Sequence, residues 1–173
     1  MMLDVVRAVA DWLEHGTYGV QAKLAALDFD GTDTAPTGTL TVYDETRDDD
    51  IAIDRPPDPP FLKVVAGEVR SLDGEAAMYT HTADIPIEIT IERSATSPSA
   101  LVRDLYYTTR AVLHSLEALF APSIPDAVSA CTRNGVQLQT YANLSVARVA
   151  PTLDDNRGSA AVYLIVRCRD TLA

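Results

Sequence analysis

The stretch Leu24 to Thr34, LAALDFDGTDT, holds two carboxylates two positions apart, just before a glycine and a threonine: Asp28-Phe29-Asp30-Gly31-Thr32. In that spacing the first Asp could attack a phosphoryl group as a covalent nucleophile. The second could exchange a proton with the leaving group, and a metal ion would bridge carboxylate and phosphate. The chemistry requires Asp28 at the carboxyl end of a buried parallel strand. Here it follows QAKLAAL, an Ala-rich segment that favours helix.

The letters match the DxDGT motif of haloacid-dehalogenase-type phosphatases, but a motif without its strand is a weak signal. The supporting groups are also missing: a strand-borne Ser or Thr, a phosphate-neutralising Lys or Arg, and a strand ending in paired acids. The nearest acid pair, Asp154-Asp155, follows Pro151 in a hairpin loop. Asp30-Gly31 and Gly38 read instead as turn residues in a solvated loop. His15, His81 and His114 have no metal-ligand spacing. The acidic run Asp44 to Asp54 lacks the glycine at its sixth position and the closing Glu of a calcium loop. With no GxSxG and no phosphate loop either, no catalytic, cofactor-binding or metal-ligating residue is assigned.

Composition narrows the classes further. A chain of 173 residues with 47% hydrophobic side chains supports one domain, 1–173. A net charge of -11 repels nucleic-acid phosphates and anionic membranes, so neither sequence-specific nucleic-acid binding nor a membrane surface is expected. Cys131 and Cys168 form no CxxC pair and are too few for a disulfide framework, which points to a reducing cytoplasm. The N-terminus MMLDVVRAVADWLEH lacks the parts of a signal peptide, and no apolar run reaches transmembrane length.

Periodicity gives the elements. Val5, Val6, Val9, Trp12 and Leu13 lie on one face of an amphipathic helix that ends near Gly16. An acidic, proline-rich excursion spans about 28–60, with TLTVYDE as one short strand inside it. Leu72-Asp73-Gly74-Glu75 turns between PPFLKVV and a second arm in which Ile85, Ile87, Ile89 and Ile91 alternate with Pro86, Glu88, Thr90 and Glu92. Pro86, which has no amide hydrogen, favours an edge or the start of a paired segment.

Ser97 and Pro98 predict an N-cap and first helical residue. Behind them Val102, Leu105, Tyr106, Thr109, Val112, Leu113, Leu116, Leu119 and Phe120 form the buried stripe of a long helix stopped by Pro122. NGVQLQTYANLSVARV predicts a half-exposed strand and SAAVYLIVRCRD a central one. The fold class is α+β: a mixed, mainly antiparallel sheet with two helices on one face, in the order α-β-β-(β)-α-β-β.

The entry PPFLKVV, the strand DIPIEITIE, the helix DLYYTTRAVLHSL and the charged loop DDNRG before AAVYLIVRCRD together resemble the tail terminator, or tail completion, proteins of long-tailed bacteriophages, the lambda U-like minor tail group. The resemblance runs from about Leu3 to Leu172 and is one of element order; the acidic segment 28–60 departs from it. It implies a structural virion protein, not an enzyme. Such a protein forms a homo-oligomeric ring, hexameric like the tail tube, at the head-proximal end of the tail after assembly in the bacterial cytoplasm. Its partners would be itself, the tail tube protein and the head-tail connector. Leu72, Asp73, Gly74, Glu75, Asp154, Asp155, Asn156, Arg157 and Gly158, at two hairpin tips, are the candidate interface residues. A head-to-tail connector (neck or adaptor) protein is the alternative, followed by a divergent phosphatase using Asp28 and Asp30.

Overall fold

The computed structural model describes residues 1–29, 34–44, 58–67, 82–148 and 156–170. Within them the chain folds as helices α1 (Met2–Leu13) and α2 (Val20–Ala25), strands β1 (Thr41–Asp44), β2 (Phe61–Ala66) and β3 (Thr82–Ser94), and helices α3 (Pro98–Leu119) and α4 (Pro125–Ala130). Strands β4 (Thr132–Arg133), β5 (Val136–Arg148) and β6 (Arg157–Asp170) follow. The six strands form one sheet in the order β1-β2-β3-β6-β5-β4, in which only the β1–β2 pair is parallel. This is the expected α+β class. Of the 28–60 excursion, residues 30–33 and 45–57 lie outside the described residues, while Thr41–Asp44 is paired into the sheet as β1.

The isoleucine alternation sets the dry face. Ile85, Ile87, Ile89 and Ile91 are all buried, and in register they face Val166, Leu164, Val162 and Ala160 of β6. On the other side Leu62 and Val64 of β2 align with Ile91 and Ile89. Each such side chain taken from water contributes about 1.5–3 kcal/mol. Pro86 sits in an interior strand, but where the β2 ladder begins: the last β2 pair is Ala66↔Ile87, and the Pro86 carbonyl accepts from the Gly67 amide at 2.8 Å. A strand residue aims its N–H and C=O to the same side, so the missing donor falls where β2 no longer runs alongside.

Helices α1 and α3 cover this face. Val5, Val6, Val9, Trp12 and Leu13 are buried as expected, and the Trp12 indole N–H donates to the Ser115 carbonyl of α3 at 2.7 Å. That bond ties the two helices together inside the core. Ser97 caps α3 by accepting from the Ala100 amide, with Pro98 beginning the helix.

The buried stripe of α3 differs from expectation at its N-terminal end. Val102 and Tyr106 are 46% exposed, and the inward positions belong to Leu101, Asp104, Leu105 and Thr108. Polar residues can turn inward there because their groups are bonded: the Thr108 and Thr109 hydroxyls donate to the carbonyls of Asp104 and Leu105, each at 2.7 Å. Helix α4 and the two-residue β4 were not foreseen as separate elements.

Truncating Ile89 to Ala should destabilise the protein by about 2–5 kcal/mol, because the cavity forms at a fully buried position. Val102→Ala should stay within about 0.5 kcal/mol. Urea unfolding of the two variants checks this; equal losses would show that the α3 stripe is mis-phased.

Candidate functional site

Asp28 is exposed and follows α2 after a short turn, so it does not end a strand. Its neighbour Phe29 packs edge-on against Tyr107, with ring centroids 4.7 Å apart, and this contact anchors the segment to α3. Asp30 lies outside the described residues, so the geometry of the Asp28/Asp30 pair is not described. Among the described residues no group of three or more His, Cys, Asp or Glu is arranged to hold a metal ion. Burial pushes the Cys131 thiol up to about 11, the opposite of what a nucleophile needs.

The candidate interface residues divide. Leu72, Asp73, Gly74 and Glu75, with Asp154 and Asp155, lie outside the described residues. Asn156 is exposed at φ 50°, a left-handed conformation that Asn tolerates well, and its carbonyl accepts from the Ala95 amide at 3.0 Å. Arg157 and Gly158 are already in β6, paired with Ser94 and Arg93. Arg157 reaches Asp58 at 3.2 Å. A Cβ on Gly158 would come within 3.0 Å of Leu105 and 3.1 Å of Leu101, so this glycine lets α3 approach the sheet. Asn156 and Arg157 therefore keep an outward aspect, whereas Gly158 faces α3.

Sequence reasoning placed no site on β5, yet among the described residues its outer side is a long open edge. Strand β4 pairs only with Val136 and Gln137, and among the described residues no strand runs beside the rest of β5. Leu144 is 37% and Val146 42% exposed, and Tyr163 of β6, in register with Ser145 and so on the other face from Val146, is also exposed. The register shifts between Leu138 and Thr140 and again between Ala142 and Ser145, where Asn143 takes φ 54°. Such bulges twist an edge and limit uncontrolled strand pairing. The period-two alternation in NGVQLQTYANLSVARV signalled a strand but carried no sign of these interruptions.

The face away from the helices carries a charge pair between the neighbouring strands β3 and β6. The Arg167 guanidinium donates from two nitrogens to the two oxygens of Asp84, each at 2.8 Å. That bidentate contact holds the Asp84 carboxyl below its ordinary range, against a smaller opposing cost of burial.

Comparison of the sequence with protein-family models and with curated proteins finds no match.

Two outcomes follow from this geometry. Asp28→Asn should leave the urea midpoint nearly unchanged, within about 0.5 kcal/mol; magnesium-dependent hydrolysis of a phosphate ester that this substitution abolishes would favour the phosphatase alternative instead. Because the folded-state pKa of Asp84 is depressed, its contribution to stability is present at neutral pH and is lost as pH falls through that depressed value. Asp84→Asn should therefore lower the melting temperature slightly at pH 7, with the gap to the parent protein closing below about pH 4. A gap that is independent of pH would refute the ionic origin.

Proposed function

We propose that this chain is a tail terminator of a long-tailed bacteriophage, a structural protein that caps the tail tube as a ring, stops tube polymerisation and presents the surface to which the head connector binds. The observation that carries the reading is the outer side of β5, along most of which no strand runs among the described residues. A long edge strand with exposed Leu144 and Val146 is a liability for a solitary protein and a ready contact for one that assembles. The element order supports the same reading, since the β2–β3 pair, α3 and the β5–β6 pair match the arrangement on which the resemblance rests.

A head-to-tail contact joins two different patches of neighbouring subunits, a heterologous interface that closes into a ring when the rotation per subunit allows it. Six subunits would match the symmetry of the tube. An overall charge of -11 would keep such a ring from gripping DNA that passes through it.

The test is to mix the purified protein with tail tubes and image the tube ends. Rings at one end and arrested elongation are expected, and Val146→Asp should reduce capping while leaving the subunit folded. A protein that never caps tubes but binds portal or connector rings would favour the head-to-tail connector. If it does neither, the assembly reading fails.

A further inference from the structure

Three described asparagines hold a positive φ: Asn134 at 47°, Asn143 at 54° and Asn156 at 50°. Only the first precedes a glycine, since Leu144 and Arg157 follow the other two. Asn134 and Gly135 make the turn between β4 and β5, with Arg133 paired to Val136 across it, and Asn134 is exposed. Gly135 has φ 79°, so both central residues take the mirror-image form that suits the twist of a hairpin.

An asparagine side chain is open to attack by the backbone nitrogen of the residue after it. The bond formed joins the Gly135 nitrogen to Cγ of Asn134. The bond broken is Cγ–Nδ2, and Nδ2 leaves as ammonia with the proton of the Gly135 amide. Water then opens the cyclic imide at either carbonyl, its hydroxyl going to the carbon and its hydrogen to the nitrogen. One opening leaves aspartate. The other leaves isoaspartate, in which the main chain runs through Cβ and is longer by a methylene. To attack, the nitrogen must swing to the Cβ side of Asn134, which turns over the peptide between the two residues. That motion exchanges one hairpin turn for the other, in which the first central residue keeps its positive φ. Asn134 is already there, and Gly135 accepts either sign of φ. Glycine also leaves its nitrogen unshielded, whereas Leu144 and Arg157 carry side chains and Arg157 is held in the ladder opposite Ser94. With β4 only two residues long, little pairing resists the motion.

The consequence lies in what Asn134 holds. Its Nδ2 donates to Oδ1 of Asp4 in α1 at 2.8 Å. That bond is the main cause holding the Asp4 carboxyl below its ordinary range, against the cost of burial and with help from the Met1 amino group and Arg133. Conversion puts a second carboxylate where the donor was, and like charges then face each other between α1 and the hairpin. The Arg133–Asp11 ion pair remains, but the Asp4 tie is lost. Since β4 pairs with Val136 and Gln137, the change loosens the sheet beside the open edge of β5.

We propose that Asn134-Gly135 is a self-modifying site, which converts to aspartate and isoaspartate with age and so frees the β4–β5 hairpin from the start of α1. The inference does not depend on the tail terminator reading.

The test ages the full chain in mildly alkaline buffer, with samples taken over days for peptide mass mapping and isoaspartate counted by enzymatic methyl transfer. The shift from amide to acid should grow in the peptide that holds Asn134, stay absent from those that hold Asn143 and Asn156, and be accompanied by a lower melting temperature. Asn134→Gln, whose longer side chain closes the ring far more slowly, should stay intact. Asn134→Asp supplies the carboxylate without lengthening the main chain and should melt below the parent at neutral pH. The gap should close as pH falls through the carboxylate range, because the parent then loses its bond to ionised Asp4 and the variant loses its repulsion. Absence of conversion at Asn134, or conversion as fast at Asn143 or Asn156, overturns the site. An Asn134→Asp variant as stable as the parent at neutral pH overturns the release of the hairpin.

Discussion

Along the whole of β3, from Thr82↔Arg169 to Ser94↔Arg157, the central strand is paired with β6, and most of the architecture follows from that ladder. It aligns the isoleucines of one strand with Val166, Leu164, Val162 and Ala160 of the other, creating an apolar surface that cannot be left in water. Two amphipathic helices answer it, and the Trp12–Ser115 bond couples them across the core. Strands β2 and β5 then add to the two flanks of a pair already fixed in register, since a slip of one residue would turn every isoleucine to the wrong face.

The same ladder explains why β6 is more deeply buried than β5. Strand β6 is flanked on both sides, and Ala161, on its far face, is also buried. Strand β5 has β6 on one side only, and its second half, from Ala142 to Ala147, is exposed on both faces. A bulged, partly apolar edge is left on that side of the sheet, and assembly is one way such an edge can be buried.

Much of this was legible because it rests on short-range rules. The Ile85–Ile91 alternation, the Ser97-Pro98 start of α3 and the Val5 to Leu13 face of α1 each follow from a period or a cap, and each lies where the pattern put it. What escaped depends on tertiary satisfaction of polar groups. Val102 and Tyr106 were assigned inward because they are apolar, yet Asp104 and Thr108 take those positions, made tolerable by Arg103, Arg93 and the helix's own carbonyls. The short β4–β5 hairpin did leave a signal, since Asn134-Gly135 with φ of 47° and 79° is a two-residue turn suited to the twist of paired strands. It was overlooked because β4 has only two residues, too few for a period.

Arg93 shows how a buried charge can hide inside an apolar pattern. Read as sequence, Ile85-Pro86-Ile87-Glu88-Ile89-Thr90-Ile91-Glu92 ends in Arg93-Ser94, and a charged residue there looks like the strand's return to solvent. In the fold the alternation continues through it, so the cation occupies a position built for an isoleucine. A buried guanidinium with a hydroxyl and a carbonyl on two nitrogens and nothing on the third is poor design for stability alone, since an apolar side chain of similar volume would avoid the desolvation cost. What the charge does supply is a tie between β3, α3 and the segment before β1, since its two bonded nitrogens reach Thr108 and Thr37.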